Sequence, residues 1–195
     1  MFFCSSYMFS YPQPEKDFGF MRTTYDPSSG CQACAAGLVQ TAPFRLLREP
    51  KWRHGPVVQL NWVPSELFVT PELWETVFRP IGVDSREVRG PGNKTLTNTL
   101  QLVVDDFVDI STDGLASETC SQCGTAKYEY PEGRGFPAPQ TEPQSPIVRS
   151  RQVFGSGLEA NNFLIISKEL RSALKNASVR GVSYWPCDPI SAASV

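Results

Sequence analysis

Two stretches of the chain show the same order of apolar and polar positions. Residues 66–78 read ELFVTPELWETVF, and residues 163–175 read FLIISKELRSALK. Each stretch predicts a short apolar strand, then a hydroxyl residue that caps a helix by accepting a hydrogen bond from a free amide of the first turn. The capping residues are Thr70 and Ser167, and Pro71 suits the first helical position, where its missing N–H costs nothing.

The apolar positions that follow define the buried side of each predicted helix. A Gly-Val pair and a further strand come after both helices, at 82–83 and at 181–182. This similarity has two interpretations: a chain built from two related halves, 1–95 and 96–195, or the general likeness of any capped strand–helix unit. The helix positions predicted to be buried are Leu73, Val77, Leu170, Leu174 and Ala177.

Further strands are predicted from the remaining apolar runs. They fall within 38–47, at 56–62 and over 96–111, where the alternation indicates one long strand or a hairpin. Residues 130–146 hold five prolines and predict an irregular loop. The chain is therefore predicted to be a single α+β domain over 1–195, with a mixed or antiparallel sheet and two short helices. If the two stretches mark related halves, 1–95 and 96–195 are the pseudo-repeated parts of this domain.

Charge and the N-terminal residues narrow the function classes. Eighteen basic and twenty acidic residues give a net charge of −2, so there is no overall basic excess for nucleic acid. The opening MFFCSSYMFS lacks the basic residues of a signal peptide, and no apolar run approaches the roughly 20 residues of a membrane span. We therefore expect a cytoplasmic location, where stable disulfides are disfavoured.

Four of the six cysteines occur as two Cys-x-x-Cys pairs, in SGCQACAAG and ETCSQCGTAKY. Two such turns can supply the four thiolates that a tetrahedral zinc ion needs. The alternatives are a redox pair, although neither pair opens an obvious amphipathic helix, and reduced cysteines without a metal. The favoured prediction is one structural Zn²⁺ that joins the two halves and is held by Cys31, Cys34, Cys120 and Cys123.

Signals for catalysis are sparse. His54 is the only histidine, and it is predicted to lie in a surface loop. The chain has neither a nucleophile motif nor a glycine-rich phosphate loop, so we do not expect an enzyme. Cys4 and Cys187 have no paired neighbour and are predicted to be small buried or near-surface thiols.

Charged residues are unevenly distributed along the chain. Residues 147–180 carry a local charge of +4, whereas residues 95–126 contain five acidic side chains and no basic one. The acidic run is either the solvated face of a strand or a docking surface for a basic partner. Its members are Asp105, Asp106, Asp109, Asp113 and Glu118.

The cysteine motifs, with the second written CSQCG, resemble those of the double-CXXCG proteins of myxobacteria, the immunity members of swarming-inhibition toxin pairs. The closing FLIISKELRSALKNASVRGVSYWP is also similar to the strand–helix–strand ending common in bacterial immunity proteins. The resemblance implies a non-enzymatic cytoplasmic protein that binds and neutralises a cognate toxin. It also implies that the four paired cysteines are zinc ligands.

The acidic run then provides candidate contacts to the partner. Many toxins that attack nucleic acid are basic because they must approach phosphate, so a basic nuclease is one candidate toxin. We predict that Asp105, Asp109 and Asp113 contribute to docking. The alternative function is a zinc-ribbon-like nucleic-acid-binding or regulatory module, supported only by the local +4 region. No membrane partner is expected.

Overall fold

The computed structural model describes residues 1–5, 8–9, 19–61, 63–131 and 136–188. Strands up to residue 89 are β1 (Phe2–Ser5), β2 (Met8–Phe9), β3 (Tyr25–Asp26), β4 (Val39–Gln40), β5 (Val57–Leu60), β6 (Val63–Val69) and β7 (Ser85–Arg89). Later strands are β8 (Thr95–Leu102), β9 (Phe107–Val108), β10 (Ser117–Thr119), β11 (Ala126–Tyr128), β12 (Phe136–Pro137), β13 (Ile147–Phe154), β14 (Asn161–Ile166), β15 (Val182–Trp185) and β16 (Cys187–Asp188). The α-helices are α1 (Phe20–Thr24), α2 (Pro71–Leu73) and α3 (Lys168–Asn176).

The strands form two main sheets, so the prediction of an α+β fold with mixed and antiparallel sheets is confirmed. One sheet has the order β2-β5-β6-β8-β7. The other has the order β10-β11-β13-β14-β1-β15, with β9 also paired to β13. The other sheets in the described part of the chain are two small ones, β3-β4 and β12-β16. None of its helices is long and apolar enough to cross a membrane.

The two main sheets contain the same arrangement of strands. The order β2-β5-β6-β8-β7 corresponds to β9-β13-β14-β1-β15, and in both the first pair is parallel and the other three are antiparallel. Each half lends one strand to the other: β8 lies between β6 and β7, and β1 lies between β14 and β15. The sheets are therefore interlocked by a reciprocal exchange of strands.

The correspondence extends to individual residues. Met8 lies opposite Gln59 where β2 meets β5, and Phe107 lies opposite Arg149 where β9 meets β13. The hydroxyl residue before each helix also donates its backbone amide to a proline carbonyl at the start of the neighbouring strand. These bonds are Thr70 N to Pro56 O (3.1 Å) and Ser167 N to Pro146 O (2.9 Å).

Both predicted helix caps are present. Thr70 Oγ1 accepts a hydrogen bond from the amide of Leu73 (3.3 Å), and Ser167 Oγ accepts one from the amide of Leu170 (3.1 Å). After its first turn, α2 continues as a π-helical segment over Trp74–Phe78 and a 3-10 turn over Arg79–Ile81. The helices thus begin alike and end differently.

The buried sides of these helices form one hydrophobic core with both sheets. Their predicted core positions are buried, except that Ala177 is exposed. The prediction for Ala177 is wrong because α3 ends one residue earlier and Ser178 has a positive φ of 54°, which takes the chain out of the helical path. The shared core includes Val69, Leu73, Val77, Leu102, Leu164, Leu170 and Leu174.

The stretch 96–111, predicted as one long strand or a hairpin, is divided between the two sheets. β8 ends at Leu102, and β9 resumes at Phe107 beside β13. Val104 and Val108 are buried while Phe107 is exposed. The prediction failed because the chain crosses from one sheet to the other over residues 103–106, where strand alternation does not apply.

The proline-rich stretch 130–146 is only partly irregular. It contains the short strand β12, which pairs with β16, and Pro139 forms an isolated bridge with Ile110. Residues 132–135 lie outside the described part of the chain.

Candidate metal centre

The first cysteine turn, residues 30–37, lies between the paired strands β3 and β4. The amide of Ala35 donates to the carbonyl of Cys31 (2.8 Å), and the amide of Cys31 donates to the carbonyl of Ala36 (2.9 Å). Gly30 is required here because a Cβ on it would lie 2.5 Å from the backbone nitrogen of Leu38. The turn therefore holds Cys31 and the residues after Cys34 in a fixed loop.

The second cysteine turn, residues 119–125, connects the paired strands β10 and β11. The amide of Gly124 donates to the carbonyl of Cys120 (2.9 Å), and the amide of Cys120 donates to the carbonyl of Thr125 (2.9 Å). These two bonds repeat those of the first turn at equivalent positions. Cys31 therefore corresponds to Cys120, and Cys34 corresponds to Cys123.

The residue after the second cysteine has a left-handed backbone in both turns. Gly124 has φ of 76°, and Ala35 has φ of 60°. Glycine adopts this region without penalty, whereas a side chain with a Cβ is strained there by roughly 1–2 kcal/mol. The left-handed conformation of Ala35 could not be predicted from the sequence, because alanine occupies a position where glycine would be expected.

The four paired cysteines meet at one point, as the sequence predicted. Cys31 Sγ lies 3.8 Å from Cys120 Sγ, Cys34 Sγ lies 3.6 Å from Cys123 Sγ, and all four sulfurs are within 4.8 Å of one another. Four sulfurs about 2.3 Å from a tetrahedral zinc ion would be about 3.8 Å apart. The sulfurs are free thiols, and these two separations are close to that value, so the cluster is compatible with a tetrahedral metal site.

The environments of the thiols differ. Hydrogen bonds with the side chain and backbone of Thr125 lower the pKa of the exposed Cys123 thiol to about 6, and Cys123 Sγ lies 3.2 Å from Thr125 Oγ1. The amides of Cys123 and Gln122 lower the pKa of Cys120. Burial raises the pKa of Cys34 to about 12. A divalent cation among the sulfurs would hold all four as thiolates, since a coordinating thiol is deprotonated.

Lys127 places a buried positive charge near these sulfurs. Its ammonium donates to Glu118 Oε1 (2.6 Å), and this bond is the main reason that the pKa of Lys127 is raised. The nearby Cys120 and Cys34 raise it further. A zinc ion with four thiolates carries a net charge of −2, so Lys127 would offset part of that charge.

The donor set determines which chemistry the centre can support. Four thiolates complete a tetrahedral coordination shell and leave no open position for a water molecule or a substrate, as in structural sites. A tetrahedral set of four sulfurs suits zinc or iron. Because each half contributes one turn, a bound ion would connect segments separated by 85 residues, between Cys34 and Cys120.

The predicted partner-binding residues each have contacts within the chain. Asp105 accepts a hydrogen bond from Arg86 (3.2 Å), and Asp109 accepts from Arg151 (3.4 Å) and also from the Gln152 side chain. Asp113 accepts from the Ser111 hydroxyl (2.8 Å). Asp105 and Asp109 thus receive counter-charges from arginines 19 and 42 positions away, whereas the partner of Asp113 is a neighbouring neutral hydroxyl.

A buried polar network was not predicted from the sequence. Glu66 accepts hydrogen bonds from Tyr25 Oη (3.2 Å), Gln101 Nε2 (2.8 Å) and Arg149 (2.9 Å). The side chains of Glu66 and Arg149 are only 4% and 13% exposed. Burial, followed by the charge of Glu66, raises the pKa of Tyr25. Arg149, counted in the basic region 147–180, therefore belongs to the interior.

Neither Cys187 nor His54 belongs to the four-sulfur cluster. Cys187 is half-buried in β16, and the side chain of Cys4 lies outside what the structure describes. His54 is exposed, as predicted. No family model, curated protein or solved structure matches this chain.

Proposed function

We propose that the protein is an inhibitor that binds and neutralises a cognate protein toxin, as an immunity protein does, and that one structural zinc ion stabilises it. The observation that carries the zinc assignment is the convergence of four sulfurs from the two halves of the chain. Four thiolates would saturate the ion, which supports a structural rather than a catalytic role for the metal.

The acidic run supports a docking role for the surface. Asp105 is 69% exposed and Asp109 is 48% exposed, and their pairs with Arg86 and Arg151 are surface ion pairs. Such pairs contribute about 0–1 kcal/mol, so a basic partner can replace the arginines at little cost. Asp113 is also exposed. Complementary charge would raise the association rate and the specificity of a toxin complex.

The alternative of a nucleic-acid-binding module has less support. Its basis is the +4 region at 147–180, but Arg149, one of the six basic residues of that region, is buried against Glu66. A buried guanidinium cannot contact a phosphate. The inhibitor proposal is therefore preferred.

Co-expression with the protein encoded beside this chain tests the proposal. We expect a stable complex and restored growth of cells that express the neighbouring protein. A variant with Asp105, Asp109 and Asp113 changed to lysine should associate more slowly and protect less, since the attraction becomes repulsion. The control, with the exposed Asp84, Glu129 and Glu142 changed to lysine, carries the same change in charge.

The comparison of the two triple-lysine variants is valid only if both retain the metal and the unfolding temperature of the unmodified protein. Full protection by the Asp105, Asp109 and Asp113 variant would place the toxin site elsewhere on the surface. Absence of both the complex and protection, with folded protein, would contradict the inhibitor proposal.

A further inference from the structure

A cavity of about 880 Å³ is lined by residues of both halves of the chain. Its size lies within the range of about 300–1,000 Å³ that small-molecule sites occupy, and such sites favour the boundaries between structural units. The first cysteine turn and Thr125 of the second contribute to its wall. The metal centre and the cavity are therefore neighbours at the junction of the two halves.

The buried part of the cavity wall includes polar side chains that are held in place. Gln59, Glu66 and Gln101 line it, and each is at most 3% exposed. Gln101 exchanges hydrogen bonds with Gln40 and donates to Glu66, and Arg149 is fixed by Glu66 and by the carbonyl of Val104. Buried polar groups that converge on a cavity orient a ligand without further rearrangement.

The outer wall combines aromatic surface with arginines. Phe107 is 46% exposed and Tyr130 is 50% exposed, and both line the cavity. The guanidinium of Arg151 lies 5.8 Å from the centre of the Phe107 ring. Arg86 also lines the cavity, paired with Asp105. Exposed aromatic side chains and positive charges thus line the same cavity.

We propose that this cavity binds a small organic anion with an aromatic body, such as an aromatic carboxylate. The charged lining residues are Arg86, Arg149 and Arg151 against Glu66 and Asp105, a net charge of +1. Arg149 is committed to the buried pair with Glu66. Arg86 and Arg151 form weak surface pairs with Asp105 and Asp109, so a ligand carboxylate can take the place of either aspartate. This site does not depend on the proposed toxin.

Binding of 2-naphthoate to the metal-loaded, full-length protein tests the site, with the uncharged 2-naphthamide as the matched ligand. Thirteen non-hydrogen atoms at the binding efficiency usual for small organic ligands predict a Kd of about 1 mM or tighter. We expect saturable shifts of backbone amide NMR signals from residues of the cavity wall. The amide should bind at least about tenfold more weakly, because it lacks the charged hydrogen bond.

Variants identify the residues responsible. Arg86→Gln and Arg151→Gln should each weaken 2-naphthoate by about threefold to tenfold and leave 2-naphthamide unchanged, and Phe107→Ala should weaken both ligands. Arg79→Gln, which removes an exposed arginine outside the cavity, should change neither. Equal affinity for acid and amide, no effect of either arginine variant, or no saturable shift at about ten times the expected Kd would overturn the proposal.

Discussion

At the scale of single residues, the backbone of the two cysteine turns gives a paired prediction. Ala35 and Gly124 occupy equivalent left-handed positions, with φ of 60° and 76°. Ala35→Gly should increase the free energy of unfolding by about 0.5–1 kcal/mol, because the relieved strain exceeds the added flexibility of glycine. Gly124→Ala should decrease it by about 1 kcal/mol. Denaturant unfolding of the metal-loaded variants measures both.

The two substitutions are expected to change the free energy of unfolding in opposite directions, and this makes the prediction specific. Glycine could be favoured at such a position either because φ is positive or because a Cβ would collide with neighbouring atoms. A Cβ on Gly124 would meet no atom within 4 Å. Destabilisation by Ala35→Gly would therefore show that Ala35 stabilises the turn by packing, contrary to the strain argument.

The residue scale also shows where sequence reasoning stops. The four cysteines could be grouped in advance because their spacing carries the chemistry of a tetrahedral site. The pair of Glu66 and Arg149 could not, since these residues are 83 positions apart and each alone looks like an ordinary surface charge. The same is true of Arg86, which meets Asp105 only because the fold brings β7 beside the end of β8.

At the scale of elements, the two helix caps are open to direct test. Thr70→Ala and Ser167→Ala should each lower the free energy of unfolding by about 1 kcal/mol, because a first-turn amide loses its acceptor. Thr70→Ser keeps the hydroxyl and should cost less than half as much. Thermal and denaturant unfolding give the comparison, and a loss below about 0.3 kcal/mol for both alanine variants would show that the caps contribute little.

Elements with local signals were predictable, and those set by distant pairing were not. The capped helices and the strands beside them follow from periodicity and capping residues in consecutive positions. The division of 96–111 between two sheets depends on β13, which lies about forty residues later in the chain. Periodicity cannot reveal such a change of sheet. Residues 103–106 connect the two sheets, and their side chains do not follow the alternation of a strand.

At the scale of the whole molecule, the exchange of strands predicts unusual sensitivity at the N-terminus. In β1, Phe3 is opposite both Leu164 of β14 and Tyr184 of β15. Phe3→Pro should lower the free energy of unfolding by about 2 kcal/mol or more, since proline removes an interior donor and leaves a partner unsatisfied. Phe3→Val keeps the backbone amide and serves as the control.

Circular dichroism, used to monitor the unfolding of these variants, distinguishes two outcomes. A much larger loss for Phe3→Pro than for Phe3→Val agrees with a central position for β1. Equal losses would contradict the exchange of strands. The sequence suggested related halves through the two helix stretches, but not the exchange, because β1 and β14 are about 160 residues apart along the chain.

The central claim for the whole molecule is a metal ion that joins the halves through four thiolates. Metal analysis of protein purified without chelator should give about one zinc per chain, and X-ray absorption should give four sulfurs at about 2.3 Å. Cys120→Ser should lose the metal and much of the stability, because binding and folding are coupled. Protein without metal, whose four thiols react freely with a thiol reagent while it remains folded, would contradict the claim.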